Sequence, residues 1–278
     1  GYPRVLVMGD SFTQMAYVSN GEEWYSYLER EFPDVAFFVF GGSGYGTLQE
    51  YMVMDDFFEG ISPQAVIWQF CSNDYSNNYY ELDLHNYPFN NHHVRPYLVD
   101  TEVVYRLPLP YAALRDYSFS ADQVLHLYDR YRRNNAIENL KKYHQQRREE
   151  RGKLSFAGKE ALALLERQSV DVTSRLAGMI RKRVGDIPVY FFNACGKFTD
   201  NDRAVCEAGE FVCIDFIGEY VKSLKTSGVQ VMVEKDGHWN REGNKYVGRK
   251  LANYFSDRGG IIPKSTEYEP NLNGISDQ

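Results

Sequence analysis

Basic residues are the minority charge in this sequence, 31 Lys+Arg against 38 Asp+Glu, which leaves a formal net charge of −7 over 278 residues. Neutralising a phosphate backbone takes clustered Lys and Arg. The one basic stretch, Arg130, Arg132 and Arg133, then Lys141, Lys142, Arg147 and Arg148, is interleaved with Asp129, Glu138, Glu149 and Glu150, as on a solvated helix face. Nucleic acid is therefore disfavoured as a partner, and an anionic-glycan patch is a secondary reading of that stretch. Long hydrophobic runs are also missing: no apolar stretch approaches the roughly 20 residues that a membrane-spanning helix needs. Cysteine is scarce. Cys71, Cys195, Cys206 and Cys213 include no C-x-x-C pair, so a thiolate zinc site has little support, and disulfides or buried reduced thiols fit them equally. No initiator Met precedes Gly1-Tyr2-Pro3, which runs straight into an apolar strand. That start suits an excised domain whose targeting or membrane segment lies upstream, such as the extracytoplasmic part of a secreted or anchored protein. What is abundant is apolar: 43% hydrophobic and 15% aromatic residues suffice for a sizeable core.

Arg4-Val5-Leu6-Val7-Met8 reads as a buried strand ending at Gly9-Asp10-Ser11, and residues 35–40 as a second ending at Gly41-Gly42-Ser43-Gly44. Between them Trp24, Tyr27 and Leu28 share one face of a crossover helix that Pro33 stops. A helix over 47–59, strands over 65–70 and 187–192, weaker strands over 212–215 and 229–233, and a helix over 240–256 complete the pattern. Strands alternating with helices predict an α/β three-layer sandwich around a central parallel sheet. The reading is one domain over 1–256 with an insertion at about 75–184, and a tail at 257–278 rich in Gly, Pro, Asn and Ser. Residues 75–118 show little periodicity and read as a loop-like lid over the strand ends; 120–184 read as two long, mostly polar helices.

In open α/β sheets ligands bind at the carboxyl ends of the strands. Here those ends carry Gly9-Asp10-Ser11, Ser43-Gly44, Asn73-Asp74 and Asp236-Gly237-His238-Trp239-Asn240. A hydroxyl nucleophile needs a base to take its proton, an acid to orient the base, and donors for the oxyanion that forms. Ser11, His238 and Asp236 are the candidates for the first three roles, and the N–H groups of Ser11 and Gly44 with the Asn73 side-chain amide are candidates for the oxyanion hole.

These four blocks, in this order, resemble the SGNH/GDSL hydrolases, over about residues 4–80 and 185–255. The resemblance implies a flavodoxin-like fold, a serine esterase needing no cofactor or metal, and catalytic roles for Ser11, Gly44, Asn73, Asp236 and His238. Two departures matter: Cys71 stands where the third block usually opens with Gly, and the acid lies two residues before the histidine rather than three. The Asp-x-His-Trp spelling resembles the SGNH domains of polysaccharide O-acetyltransferases. The expected function is removal of a small acyl group, acetyl above all, from a carbohydrate or related ester. An O-acetyltransferase and a catalytically silent carbohydrate-binding module are the alternatives.

Plainer readings stand beside these. Ser11 alone would suit a helix N-cap; Asp10 and Asp74 suit loop-fixing roles, and Asn240 an N-cap. Tyr75, Tyr79, Tyr80, Tyr87, Phe89 and Tyr97 offer either a sugar-stacking platform or the insertion's own small core, and Trp239 either a substrate contact or sheet packing. His85, His92 and His93 lack the regularly spaced acids of a metal site and read as loop histidines.

Overall fold

The computed structural model describes residues 1–86, 94–108, 118–138, 156–234 and 236–262. Tyr87, Phe89, His92, His93, the basic residues beyond 138 and the tail beyond 262 lie outside them. The main sheet has five parallel strands: β1 (Arg4–Gly9), β2 (Ala36–Gly41), β3 (Ala65–Phe70), β6 (Val189–Asn193) and the short β7 (Val212–Cys213), ordered β2-β1-β3-β6-β7. Counted in chain order this is 2-1-3-4-5, the flavodoxin-like winding, whose switch point falls between β1 and β3.

Strands covered on both faces have no polar side, which is why β1, β3 and β6 are continuous apolar runs. Alternate residues serve opposite layers. Val5, Val7 and Ile67 face a layer made by α2 (Trp24–Glu31), α9 (Ile217–Thr226) and α10 (Arg241–Ser256), through Leu28, Val221, Val247, Leu251 and Phe255. Leu6, Met8, Val66 and Trp68 face the other layer, made by α3 (Thr47–Ile61), α7 (Phe156–Val184) and α8 (Asp200–Ala208). The α/β three-layer sandwich expected from the sequence is the observed one.

Two expectations need correction. Residues 229–233 form no strand. They make one isolated bridge, Met232 to Trp239, through Asn240 N–H to Val231 O and Val233 N–H to His238 O, while the Asn240 side-chain amide takes the carbonyls of Gln230 and Met232. Residues 75–118 are not loop-like throughout. They contain α4 (Asp74–Asn78), α5 (Tyr80–His85) and an antiparallel hairpin of β4 (Arg95–Val99) with β5 (Glu102–Arg106). A further helix, α6, spans Phe119–Glu138. The second half of α7 buries Ala177 and Ile180 completely in the layer over β3 and β6, and Leu176 completely against Leu48 of α3 and Leu98 of β4. Leu176→Ala should therefore cost about 2–5 kcal/mol of unfolding free energy, while Leu164→Ala, on the exposed first half, should change it by less than about 0.5 kcal/mol. Urea denaturation compares the two, and equal losses would place both ends of the helix in one core.

Candidate active site

At the end of β1, Asp10 caps the one-turn helix α1 (Ser11–Gln14), its Oδ1 accepting the Phe12 N–H at 2.9 Å. Ser11, the first residue of that turn, is left half-buried at the sheet's switch point. Its Oγ lies 2.6 Å from His238 Nε2 and 3.5 Å from Asp10 Oδ2. The short contact decides the direction of the hydroxyl, toward the imidazole. His238 Nδ1 meets Asp236 Oδ1, which also accepts the His238 backbone N–H at 2.9 Å. A two-residue spacing achieves this because 233–238 closes on itself, with Val233 N–H to His238 O and Asp236 N–H to Val233 O. The imidazole is flanked by the rings of Phe12 and Tyr17, at 4.8 and 5.0 Å.

Tyr17 escaped the sequence reading. Its hydroxyl donates to Asp236 Oδ2 at 2.9 Å, so both carboxylate oxygens are engaged. Burial pushes Asp236 up, but the hydrogen bonds from the His238 ring and backbone and from Tyr17 outweigh it and hold the carboxyl below its ordinary value.

The expected oxyanion donors border the same space. Gly44 sits at φ +71°, a left-handed conformation that favours glycine. Its carbonyl accepts Arg95 Nη1 at 3.1 Å, and Arg95 is buried in the β4–β5 hairpin beside Asp83, with Nε to Oδ2 3.3 Å. Asn73 is exposed, its amide 3.4 Å from Asp74 Oδ1. Ser11, Gly44, Asn73, Tyr75 and His238 share the wall of one cavity of about 970 Å³.

Beneath these loops lie three buried acids. Asp10 accepts Phe12 N–H, Asp74 accepts Cys71 N–H at 3.0 Å, and Glu50 accepts Trp68 Nε1–H at 2.6 Å. Burial raises all three, and the charges of Asp10 and Glu50 add to the rise at Asp74. Asp10 and Asp74 thus fix loops, as their plainer reading held.

The aromatic candidates divide. Tyr75 lines the cavity and donates to Asp202 Oδ1 at 2.8 Å. Tyr79 and Tyr80 do not line it: the Tyr79 hydroxyl donates to Gln168 on α7, and Tyr80 packs edge-on against Tyr97 beneath the Arg106 guanidinium. They join parts of the insertion to one another. Trp239 is fully buried, edge-on to Phe12 at 4.9 Å, so it supports the imidazole from inside and cannot touch a substrate. Among the described residues no group of three His, Cys, Asp or Glu is placed to hold a metal ion. Asn240 caps α10, accepting Gly243 N–H at 2.9 Å. All four cysteines are paired, Cys71 with Cys195 and Cys206 with Cys213.

A parallel α/β sheet whose switch point carries a hydroxyl, an imidazole and a carboxylate in hydrogen-bonded series has the parts for acyl transfer through a serine. No family model and no curated protein matches the chain. Solved structures similar to it include a lipase/acylhydrolase from Enterococcus faecalis, at 11% identity and TM-score 0.47 over 92% of this chain and 96% of that one. A psychrotrophic esterase from Pseudoalteromonas sp. is similar at 9% identity and TM-score 0.48, over 91% and 97%. An acetyl xylan esterase is similar at 12% and 0.48, over 90% and 98%. Likeness of this size leaves the chemistry to the site's own atoms.

Because Asp236 lies lower in the folded than in the unfolded chain, its ionised form adds stability that is full above the unfolded value and is lost as pH falls through the folded one. Tyr17→Phe deletes one of the bonds that lower it, so carbon NMR of the carboxyl should show Asp236 titrating at higher pH than in wild type. An unmoved titration would mean that the Tyr17 hydroxyl does not hold Asp236 in solution.

Proposed function

We propose that the chain is a serine ester hydrolase of the SGNH type that removes a small acyl group, acetyl first among them, from a carbohydrate or related ester. The observation that carries this is the series Ser11 Oγ, His238 and Asp236 opening onto the cavity that Gly44 and Asn73 border. As the Ser11 oxygen attacks the ester carbonyl, His238 Nε2 takes its proton and Asp236 stabilises the imidazolium. The negative charge that develops on the carbonyl oxygen is met by the N–H groups of Ser11 and Gly44 and the Asn73 amide. His238 then returns the proton to the departing alcohol, leaving an acyl-serine. A water enters by the same route in reverse: His238 takes its proton, the acid departs and Ser11 Oγ is protonated again.

A polyhydroxylated alcohol suits the hydroxyls and amides of Ser43, Ser72, Ser76, Asn77 and Asn201, which line the cavity beside apolar Phe12, Leu82 and Val170. A cavity of about 970 Å³ also has room for an acceptor beside the acyl-serine, which favours the O-acetyltransferase as second reading. The two differ in whether water or a sugar hydroxyl resolves the intermediate.

Wild type should hydrolyse an aryl acetate and form a Ser11 adduct with a fluorophosphonate, and Ser11→Ala should do neither while keeping its circular dichroism. Asp236→Asn should lower kcat by roughly 10²–10⁴, the imidazolium having lost its charge partner and its tautomer. Retained turnover in Ser11→Ala would remove this function from the site. Adding an acceptor sugar separates the readings, since an acetylated sugar in place of free acetate identifies the transferase.

A further inference from the structure

Cys71 follows β3 directly and Cys195 lies two residues beyond β6, the neighbouring strand. The last rung of that pairing sets Phe70 opposite Asn193, and Ala194 N–H donates to Phe70 O at 2.8 Å. The Cys71–Cys195 disulfide therefore continues the ladder by a covalent rung where hydrogen bonding ends, joining positions 124 residues apart. Asn73 stands two residues beyond that rung. Its own side chain is exposed and makes long contacts, 3.4 Å from its amide to Asp74 Oδ1 and 3.9 Å from its Oδ1 to Cys195 Sγ, a sulfur of the disulfide itself. Its place is therefore set by what flanks it. On one side is the disulfide. On the other Asp74 accepts Cys71 N–H, and the Tyr75 hydroxyl is bound to Asp202, which in turn accepts Asn193 Nδ2–H at 3.1 Å. Cys195 is exposed and both cysteines line the cavity, so a small thiol reaches the bond through the same opening as a substrate. Cys206–Cys213 differs on every count, closing only 7 residues beside α8 and β7, with Cys206 fully buried.

We propose that the Cys71–Cys195 disulfide is a positioning element for Asn73 in the oxyanion site, and that opening it with a dithiol turns the enzyme down. The inference rests on the esterase reading above. The redox step balances: the disulfide gains two electrons and two protons to give two thiols, while the dithiol loses the same and closes to a cyclic disulfide.

The test compares wild type, Cys71→Ser with Cys195→Ser, and Cys206→Ser with Cys213→Ser, on an aryl acetate and by amide hydrogen exchange over residues 72–76. Opening the first bond should lower kcat about tenfold or more with KM within about twofold, since a displaced oxyanion donor acts on the transition state and not on substrate binding. Exchange over 72–76 should rise. The Cys206/Cys213 variant should keep its kcat even if it melts earlier. Dithiothreitol on folded wild type, with alkylation and mass analysis to show which bond opened, should reproduce the loss, and reoxidation should reverse it. If the first double variant does not fold, this arm decides. A folded protein with the Cys71–Cys195 bond open and wild-type kcat overturns the proposal, as does an equal kcat loss in both pairs of variants. Should wild type show no turnover at all, the esterase reading is what has failed; exchange over 72–76 then judges the tether alone, with no rise on reduction counting against it.

Discussion

Asn244 is the pin on which the site turns. It is fully buried on α10, where its Oδ1 accepts the Trp24 N–H at 3.0 Å and its amide donates to the carbonyls of Asn240 and Trp239 at 3.0 and 3.3 Å. Trp24 in turn donates its indole N–H to Phe12 O at 2.9 Å. Phe12 follows Ser11 and Trp239 follows His238, so one buried chain of hydrogen bonds spans the neighbours of two residues that are 227 positions apart. Gly248 lets the helices close to this distance, because a Cβ there would run into Trp24 O and the Tyr27 ring. Losing the Asn244 side chain would strand buried backbone groups at about 1–3 kcal/mol each. It would also release the register between the two loops, and a hydrogen-bonded relay tolerates only about 0.5 Å of misplacement.

The acids around the site follow opposite logics. Asp236 is partly exposed and is met by three donor hydrogen bonds, so its charge is supported and its folded value is lowered. Asp10, Glu50 and Asp74 are buried, which raises all three, and neighbouring carboxylate charge adds to the rise at Glu50 and Asp74. Asp236 adds stability as pH rises. The buried three favour the proton-bearing folded state, a contribution present below their unfolded values and lost as pH climbs through the raised ones. Each accepts an N–H from a different element, Phe12 on α1, Cys71 after β3 and Trp68 within β3.

What the sequence made legible was local. A Gly-rich turn after an apolar run marks a strand end, and hydroxyl, amide, acid and imidazole residues at four such ends are enough to name Ser11, Gly44, Asn73, Asp236 and His238 as one group. What it hid depends on distant contacts. Tyr17 is one of 22 tyrosines, and only the fold sets it against Asp236, 219 residues away. Residues 229–233 have a strand's composition, yet the Asn240 side chain claims their carbonyls. Tyr79 and Tyr80 sit in a sugar-binding composition, but α4 and α5 turn them toward Gln168 and Tyr97. Trp239, beside the histidine in sequence, points to the other side of its loop because an indole is driven to the core more strongly than a neighbouring imidazole.

The same hidden contacts change the meaning of the insertion. Ser76, Asn77, Leu82 and Asn86 of the insertion line the cavity, and its hairpin touches the loop that carries Gly44. Arg95 reaches the Gly44 carbonyl from a buried position, braced by Asp83, which also accepts the Tyr97 hydroxyl at 2.7 Å. Burial pushes Asp83 up despite the neighbouring guanidinium, so this pair is a costly way to gain stability and an effective way to define one geometry. The loop that carries Gly44 is thus braced by a strut from the insertion, and the loop that carries Asn73 is tied by a disulfide to the segment after β6. Each loop has bonds of its own, Tyr45 N–H to Gly42 O in one and Cys71 N–H to Asp74 Oδ2 in the other, and each is further held from outside. In this fold the parallel sheet brings Ser11, Gly44 and Asn73 to one edge, while the bracing of their loops comes from elements added around that edge.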